Sequence, residues 1–487
     1  MALVVWPGVR LSAQCPDGSP PPCRRPAHTA APSPNSVAVL YLDNLSRDTA
    51  DAFLADGLTE EIIIRLGQVP RLEVKSRYEV QRFRGQAAQD PASLGRALRA
   101  AYLVMGSVQR AGDRVRLRYE VVRAATRVRV GGDVIDRASS DVLTLESEIA
   151  AVVATAITGH LLPDERTRLT RPLTANAVAY EQYLRGVQAA HNFGDEAALR
   201  SAVAYFNRAI ALDSGFAAAF AGKAVAWGML ADGYVTPREG YGQTRVAANQ
   251  ALARDSSQAL GWAMLANVAF ALDLDAPECA RLAQRGIALD PHSGWSRAFL
   301  SGALWAEGKT DLALSEARRA WLDDSLFVVM SVSYINTLVE SGHLDTAAAM
   351  IPRIRAILPA SDADALEGMV LGARGDWSGA VRLLGWRYYG GVYDAGMYVR
   401  GLVALGDTVA ARATVDSMLA ARTPGYYNPV ALARAYTALG DIDRGIEWLG
   451  RAFEERTYAV VLVRQYPELA PLRADPRYAA LDRQLRF

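Results

Sequence analysis

The stretch RVRLRYEVVR, starting at Arg114, alternates apolar and polar residues with a period of two. Val115, Leu117, Tyr119 and Val121 fall on one side, and Arg114, Arg116, Arg118 and Glu120 on the other. That is the pattern of a strand with one buried and one solvated face. RVRVGGDVI repeats it, and SVAVLYL, RLEVKS and AYLVMGSVQ read as further strands. Between them lie three helical patterns: DTADAFLADGLTEEIIIRLGQV, bent at Gly57; DPASLGRALR, capped by Asp90 with Pro91 in its first turn; and TLESEIAAVVATAITGHL. Residues 36–162 are expected to form an α/β domain with a mixed sheet and helices on one face. An antiparallel meander in it turns its arginines outward.

Beyond a linker at 163–176 the pattern changes to helical, and one phrase recurs: GKTDLALSE from Gly308, GHLDTAAAM from Gly342, GDWSGAVRL from Gly375, GDTVAARAT from Gly406 and GDIDRGIEW from Gly440. The intervals are 34, 33, 31 and 34 residues. A period near 34 marks a repeated helical pair. The glycine ends the first helix in a left-handed turn. Five residues on, Ala313, Ala347, Ala380, Ala411 and Gly445 are small, which lets the second helix approach the first closely. About eight copies fit between Ala177 and Phe453, within a repeat region of 177–456. Residues 457–487 read as capping helices with a polar outer face formed by Arg477, Asp482, Arg483 and Gln484.

WAMLANVA (Trp262, Leu265, Ala266, Ala269) and LSGALWAEGKTDLALSEARRA (Leu300, Leu304, Gly308, Ala313, Ala320) resemble the tetratricopeptide repeat family. The stretches ADGLTEEI and GSVQRAGDRVRL resemble the TolB-amino-terminal-like domain that precedes such repeats in a bacterial family. The resemblance implies an all-α superhelix after the α/β domain. It also implies a sensor or regulatory half of a signalling system whose effector is a transcriptional regulator, a nucleotide cyclase or a serine/threonine kinase. No such effector is recognisable in this chain.

Stacked pairs leave a concave groove, and positions 2, 5, 9 and 12 of each first helix share the face that lines it. In this register they include Asn267, Phe270, Trp295, Trp305, Asn336, Arg400, Tyr427 and Arg434. Asn and Arg hold a peptide's backbone and carboxylates, and aromatics supply apolar contact. The alternative for Trp295 and Trp305 is core between repeats. A non-enzymatic scaffold that binds a protein or peptide segment is therefore the expectation.

Composition changes this little. The 487 residues carry a net charge of +1, which gives no reason to expect a nucleic-acid partner. Between Arg71 and Arg137, however, 15 basic residues face 7 acidic ones. Arg114, Arg116 and Arg118 are thus a candidate anion-binding face, with a merely solvated sheet face as the alternative. No apolar run is long enough to span a membrane. Residues 1–13 resemble a short export signal and 14–35 a Pro/Ser/Ala-rich linker, in which Cys15 and Cys23 flank a turn and close a small loop in an oxidising compartment. This predicts an exported, periplasmic protein, with the cytoplasm as the alternative. Cys279 sits at a small-residue position and reads as core. GALWAEGKT, from Gly302 to Thr310, has five residues between its glycines where a phosphate-binding loop has four, and it joins two helices instead of following a strand. The five histidines show no metal-ligand spacing, and no catalytic set or cofactor motif is recognisable.

Overall fold

A computed structural model describes residues 32–487 apart from 49–50, 87–88, 139–144, 191–194, 324–327, 357, 386–393 and 423–427. Cys15, Cys23, Tyr427 and the export segment lie outside the described residues. Strands β1 (Ser36–Val39), β2 (Asp43–Asn44), β3 (Glu73–Val74), β4 (Tyr102–Ala111), β5 (Arg114–Arg123) and β6 (Val128–Ala138) form one mixed sheet. Its order is β3-β1-β4-β5-β6, with β2 beside β4. β1 runs parallel to β3 and β4, and β4-β5-β6 is the expected antiparallel meander. Along β5 the alternation holds as far as Val121. A register shift between Val121 and Val122 then buries both valines.

Helices α1 (Ala52–Gly67), α2 (Arg77–Gln81), α3 (Pro91–Leu98), α4 (Leu145–Thr158) and α5 (Pro163–Thr170) complete this part. α1 is not interrupted at Gly57. A Cβ there would sit 2.7 Å from Leu184 Cδ2, so the glycine provides a close approach between α1 and the first repeat helix. One apolar core accordingly continues from the sheet through α1 into the first helical pair.

Sixteen helices follow as eight antiparallel pairs among the described residues: α6 (Ala177–Ala190) with α7 (Glu196–Leu212), α8 (Ala217–Ala231) with α9 (Pro237–Arg254), α10 (Ala259–Ala271) with α11 (Ala276–Leu289), α12 (Gly294–Ala306) with α13 (Thr310–Asp323), α14 (Val328–Glu340) with α15 (Leu344–Arg355), α16 (Ala360–Ala373) with α17 (Trp377–Leu383), α18 (Asp394–Ala404) with α19 (Thr408–Arg422), and α20 (Pro429–Ala438) with α21 (Ile442–Glu455). The fold is an α/β domain followed by an all-α tetratricopeptide-type superhelix.

The recurring phrase has one local geometry. Gly308, Gly342, Gly375, Gly406 and Gly440 all have φ between 77° and 85°. In each case the next residue's N–H donates to the carbonyl five residues back at 2.8–3.0 Å, as Lys309 does to Leu304 and Asp441 to Tyr436. This bond satisfies a carbonyl that the helix end leaves free. The aspartate after the glycine caps the second helix: Asp376 accepts from the Gly379 N–H and Asp441 from the Arg444 N–H. Ala313, Ala347, Ala380 and Ala411 are fully buried. Gly445 departs from alanine because a Cβ there would lie 2.9 Å from Leu472 Cδ2. Enlarging these positions forces the helices apart. Ala313→Leu or Ala347→Leu is expected to cost about 1–3 kcal/mol, read as a lowered denaturation midpoint.

Candidate functional site

The face expected to be an open groove is covered by the chain's own C-terminal segment. After α21 the chain makes short turns at Tyr458–Leu462 and Pro467–Leu469, then α22 (Ala470–Arg473) and α23 (Tyr478–Asp482). Tyr458 packs on Phe270 of α10, ring centroids 5.1 Å apart, and Tyr466 meets Trp305 of α12 edge-on at 6.1 Å. Gln465 donates to the Ala306 carbonyl at 3.2 Å. Arg434 of α20 stacks on Tyr466 at 4.9 Å and forms an ion pair with Glu468. At the far end, Ala276 donates to the Arg486 carbonyl and Arg486 to that of Leu274. The third and eighth pairs thus share one cover.

This corrects the expectation for several residues. Asn267, Phe270, Trp305, Asn336 and Arg434 are all at most 5% exposed. Trp295 is half-buried and stacks on Phe299 at 5.7 Å. Phe270, Trp305 and Arg434 meet the C-terminal segment of this chain instead. The missed signal is the apolar run Val460–Val463, which a purely polar cap would not carry. Val460, Val461, Val463, Tyr466, Leu469 and Leu472 are fully buried. At about 1.5–3 kcal/mol per buried side chain, their burial exceeds what a peptide competing from solution would recover. The segment is part of the core.

Next to the cover a smaller cavity stays open. It measures about 360 Å³ and lies between Met397 and Arg400 of α18, Thr437 of α20, and Pro467, Glu468 and Pro471. Arg400 is exposed, stacks on Trp377 at 5.1 Å and makes no ion pair among the described residues. Burial pushes Glu468 up, but Arg434 and Arg400 outweigh it and hold the carboxyl below its ordinary range. Burial, reinforced by Glu468, pushes Glu340 up to about 7 against the pull of Arg434 and Arg400. A carboxyl raised in the folded state favours folding at low pH, and that contribution is lost as pH rises from its unfolded value through 7. Glu340→Gln is therefore expected to flatten this decline. It should raise stability at pH 8 by about 1 kcal/mol after allowance for solvent screening, measured by urea denaturation across pH. The amide oxygens of Asn267 and Asn336 are buried and accept no hydrogen bond among the described residues.

On the sheet, Arg114, Arg116 and Arg118 are exposed. Asp136 on β6 accepts from Arg114 Nε at 2.8 Å and Arg116 Nε at 3.0 Å. These bonds hold the aspartate below its usual range. Two of the three arginines thus share one carboxylate across the strand pair, while Arg118 makes no ion pair among the described residues. Cys279 is fully buried, with its Sγ 3.5 Å from the Phe299 carbonyl, and burial pushes its thiol up. The GALWAEGKT stretch joins α12 to α13. No cluster of three or more metal-ligating side chains occurs among the described residues. Among them, no helix is long and apolar enough to cross a membrane.

No known family model matches the chain. It is similar to a protein of Rhizobium meliloti (strain 1021) named adenylate cyclase 3, with 29% identity over 204 residues. These are 41% of this chain and 34% of that protein. The chain therefore spans about a third of the length of the curated relative it matches. Among solved structures it is similar to YrrB, a TPR protein with an unusual peptide-binding site: 17% identity, 42% of this chain, 97% of that one, TM-score 0.27. It is also similar to the APC/C hetero-tetramer Cut9–Hcn1, at 14% identity, 70% of this chain, 63% of that one and TM-score 0.37. Yeast Tom70 matches at 11% identity, 63% of this chain, 67% of that one and TM-score 0.37.

Proposed function

We propose that the chain is a non-enzymatic scaffold that holds a protein or peptide segment on its repeat array, at the open cavity beside the C-terminal cover. The observation that carries this is Arg400: an exposed cation that makes no ion pair among the described residues, stacked on Trp377 and lining a cavity in the array. A guanidinium held by stacking keeps its planar fork of donors for a carboxylate. The neighbouring prolines and Met397 offer apolar contact. The ligand is then an acidic, extended segment. Tyr427 stays a candidate contact from sequence alone.

The test begins with crosslinking and mass spectrometry in the native cell to identify the partner, followed by titration of the full chain. Arg400→Glu should weaken the partner at least about tenfold, as expected for a charge-assisted contact reversed in sign, and Arg400→Gln, which adds no carboxylate beside Glu468 and Glu340, should weaken it in the same direction. Equal affinity in the variants contradicts the reading.

A second reading, the sensor half of a bacterial signalling system, is favoured by the match to the cyclase-named protein. In this reading residues 36–162 form a TolB-amino-terminal-like docking or sensing domain, 177–456 the repeats and 457–487 their cap. The protein then works outside the cytoplasm, Cys15 and Cys23 close their loop, and the effector lies elsewhere. Finding Gln14 as the mature N-terminus supports export; an intact Met1 on cytosolic protein contradicts it.

A further inference from the structure

A cleft of about 870 Å³ separates the α/β domain from the fourth and fifth helical pairs. Its lining carries five carboxylates, and each is engaged. Glu60 accepts from Tyr41 at 3.0 Å and from Arg77 at 3.2 Å. Glu73 pairs with Lys75 at 2.5 Å. Glu79 accepts from the Ser76 N–H at 3.1 Å in a capping box. Asp290 accepts from the His292 N–H at 3.0 Å, and Asp323 faces His292 Nδ1 at 3.2 Å and Arg297 at 3.3 Å.

Three guanidiniums on the same lining have no such partner among the described residues: Arg82, Arg99 and Arg353. Two are held by stacking. Arg82 lies over Phe83 at 4.8 Å and Arg353 over Trp321 at 4.3 Å. Stacking fixes the plane of a guanidinium and leaves most of its N–H edge available. Arg82 uses one N–H on the Ala97 carbonyl at 3.4 Å. Arg99 ends α3 with φ 50° and ψ 43°, the left-handed conformation in which glycine is the low-energy choice. Burial, together with repulsion from Arg82 and Arg99 and against the pull of Glu79, holds Arg353 below its ordinary range. The three cations line the same cleft, two from the α/β domain and one from the array.

We propose that this cleft binds the phosphoryl group of a small molecule, gripped between Arg82 and Arg99 of the α/β domain and Arg353 of the repeat array. Planar donor forks converging from two sides suit a tetrahedral oxyanion better than a lone carboxylate. The volume exceeds that of a phosphate and falls in the range of about 300–1,000 Å³ typical of small-molecule sites. An organic body on the phosphoryl group would lie over Ile63 and Leu98 of the α/β domain and Leu322 of the array. Such a ligand bridges the domain and the array and ties their relative position to its concentration.

Isothermal titration calorimetry of the full chain with inorganic pyrophosphate, at constant ionic strength, tests this. Wild type should give saturable heat. Arg99→Gln and Arg353→Gln should each weaken binding about tenfold, as loss of a charge-assisted contact does. Arg99→Gly guards against misfolding, because it relaxes the left-handed backbone; it should keep or raise the melting temperature and still weaken binding. Arg118→Gln, on the sheet face outside the cleft, should change nothing. No saturable heat with wild type, or an equal loss in Arg118→Gln, overturns the site. Arg99-dependent sedimentation with phosphatidylglycerol vesicles, without pyrophosphate heat, overturns the small-molecule assignment in favour of a lipid headgroup.

Discussion

Replacing Arg434 by alanine should lower the stability of the repeat array by about 3–5 kcal/mol, the cost of stranding a buried charge. Arg434 is 3% exposed, lies over the Tyr466 ring and is ion-paired to Glu468. Its removal leaves the buried Glu468 carboxylate, which also feels Glu340, without its ion-pair partner; among the described residues Arg400 is the other cation acting on it. Adding Glu468→Gln removes the stranded charge and should recover a large part of the loss. Arg434→Met with Glu468→Gln should cost less than Arg434→Ala alone, because a buried pair replaced by matched neutral groups is often close to neutral. Urea denaturation followed by circular dichroism measures all three. A loss below about 1 kcal/mol in Arg434→Ala would mean the pair is exposed. The same argument makes Arg434 unsuitable as a probe of partner binding, which Arg400 reports instead.

Deleting residues 457–487 should have a still larger effect. It removes the burial of Val460, Val461, Val463, Tyr466, Leu469 and Leu472 and uncovers Phe270 and Trp305. At about 1.5–3 kcal/mol for each buried side chain the loss is on the order of 10 kcal/mol, comparable with the whole stability of about 5–15 kcal/mol typical of a folded domain. The truncated chain is expected to lose its cooperative transition and to aggregate through the uncovered apolar surface. A truncated chain that melts like wild type would show that the segment is an appendage.

The repeat architecture is legible in the sequence because each joint is local. The glycine, the capping aspartate and the buried alanine of GDWSGAVRL lie within six residues, and each acts on its own helix pair. The meander is legible for the same reason: Val115, Leu117, Tyr119 and Val121 alternate with Arg114, Arg116, Arg118 and Glu120 inside one strand. The cover on the concave face is not legible in that way. Contacts such as Tyr458 with Phe270 and Tyr466 with Trp305 join distant parts of the chain, and no local period encodes them. The inward direction of these residues follows from helical spacing, whereas their partner depends on how far the array curls. Gly57 shows the same division. Its place in α1 suggests a bend, but its role is set by Leu184 of α6, which only the assembled structure brings near. The pocket at Arg400 likewise depends on Pro467, Glu468 and Pro471 arriving from the C-terminal segment.

Hydrogen exchange of the intact protein, followed by mass spectrometry, tests the sealed concave face most directly. Peptides spanning residues 460–473 should exchange as slowly as those of α20, because both are parts of one core. Exchange of that stretch within seconds, with α20 still protected, would contradict the account and return Phe270, Trp305 and Arg434 to an open groove.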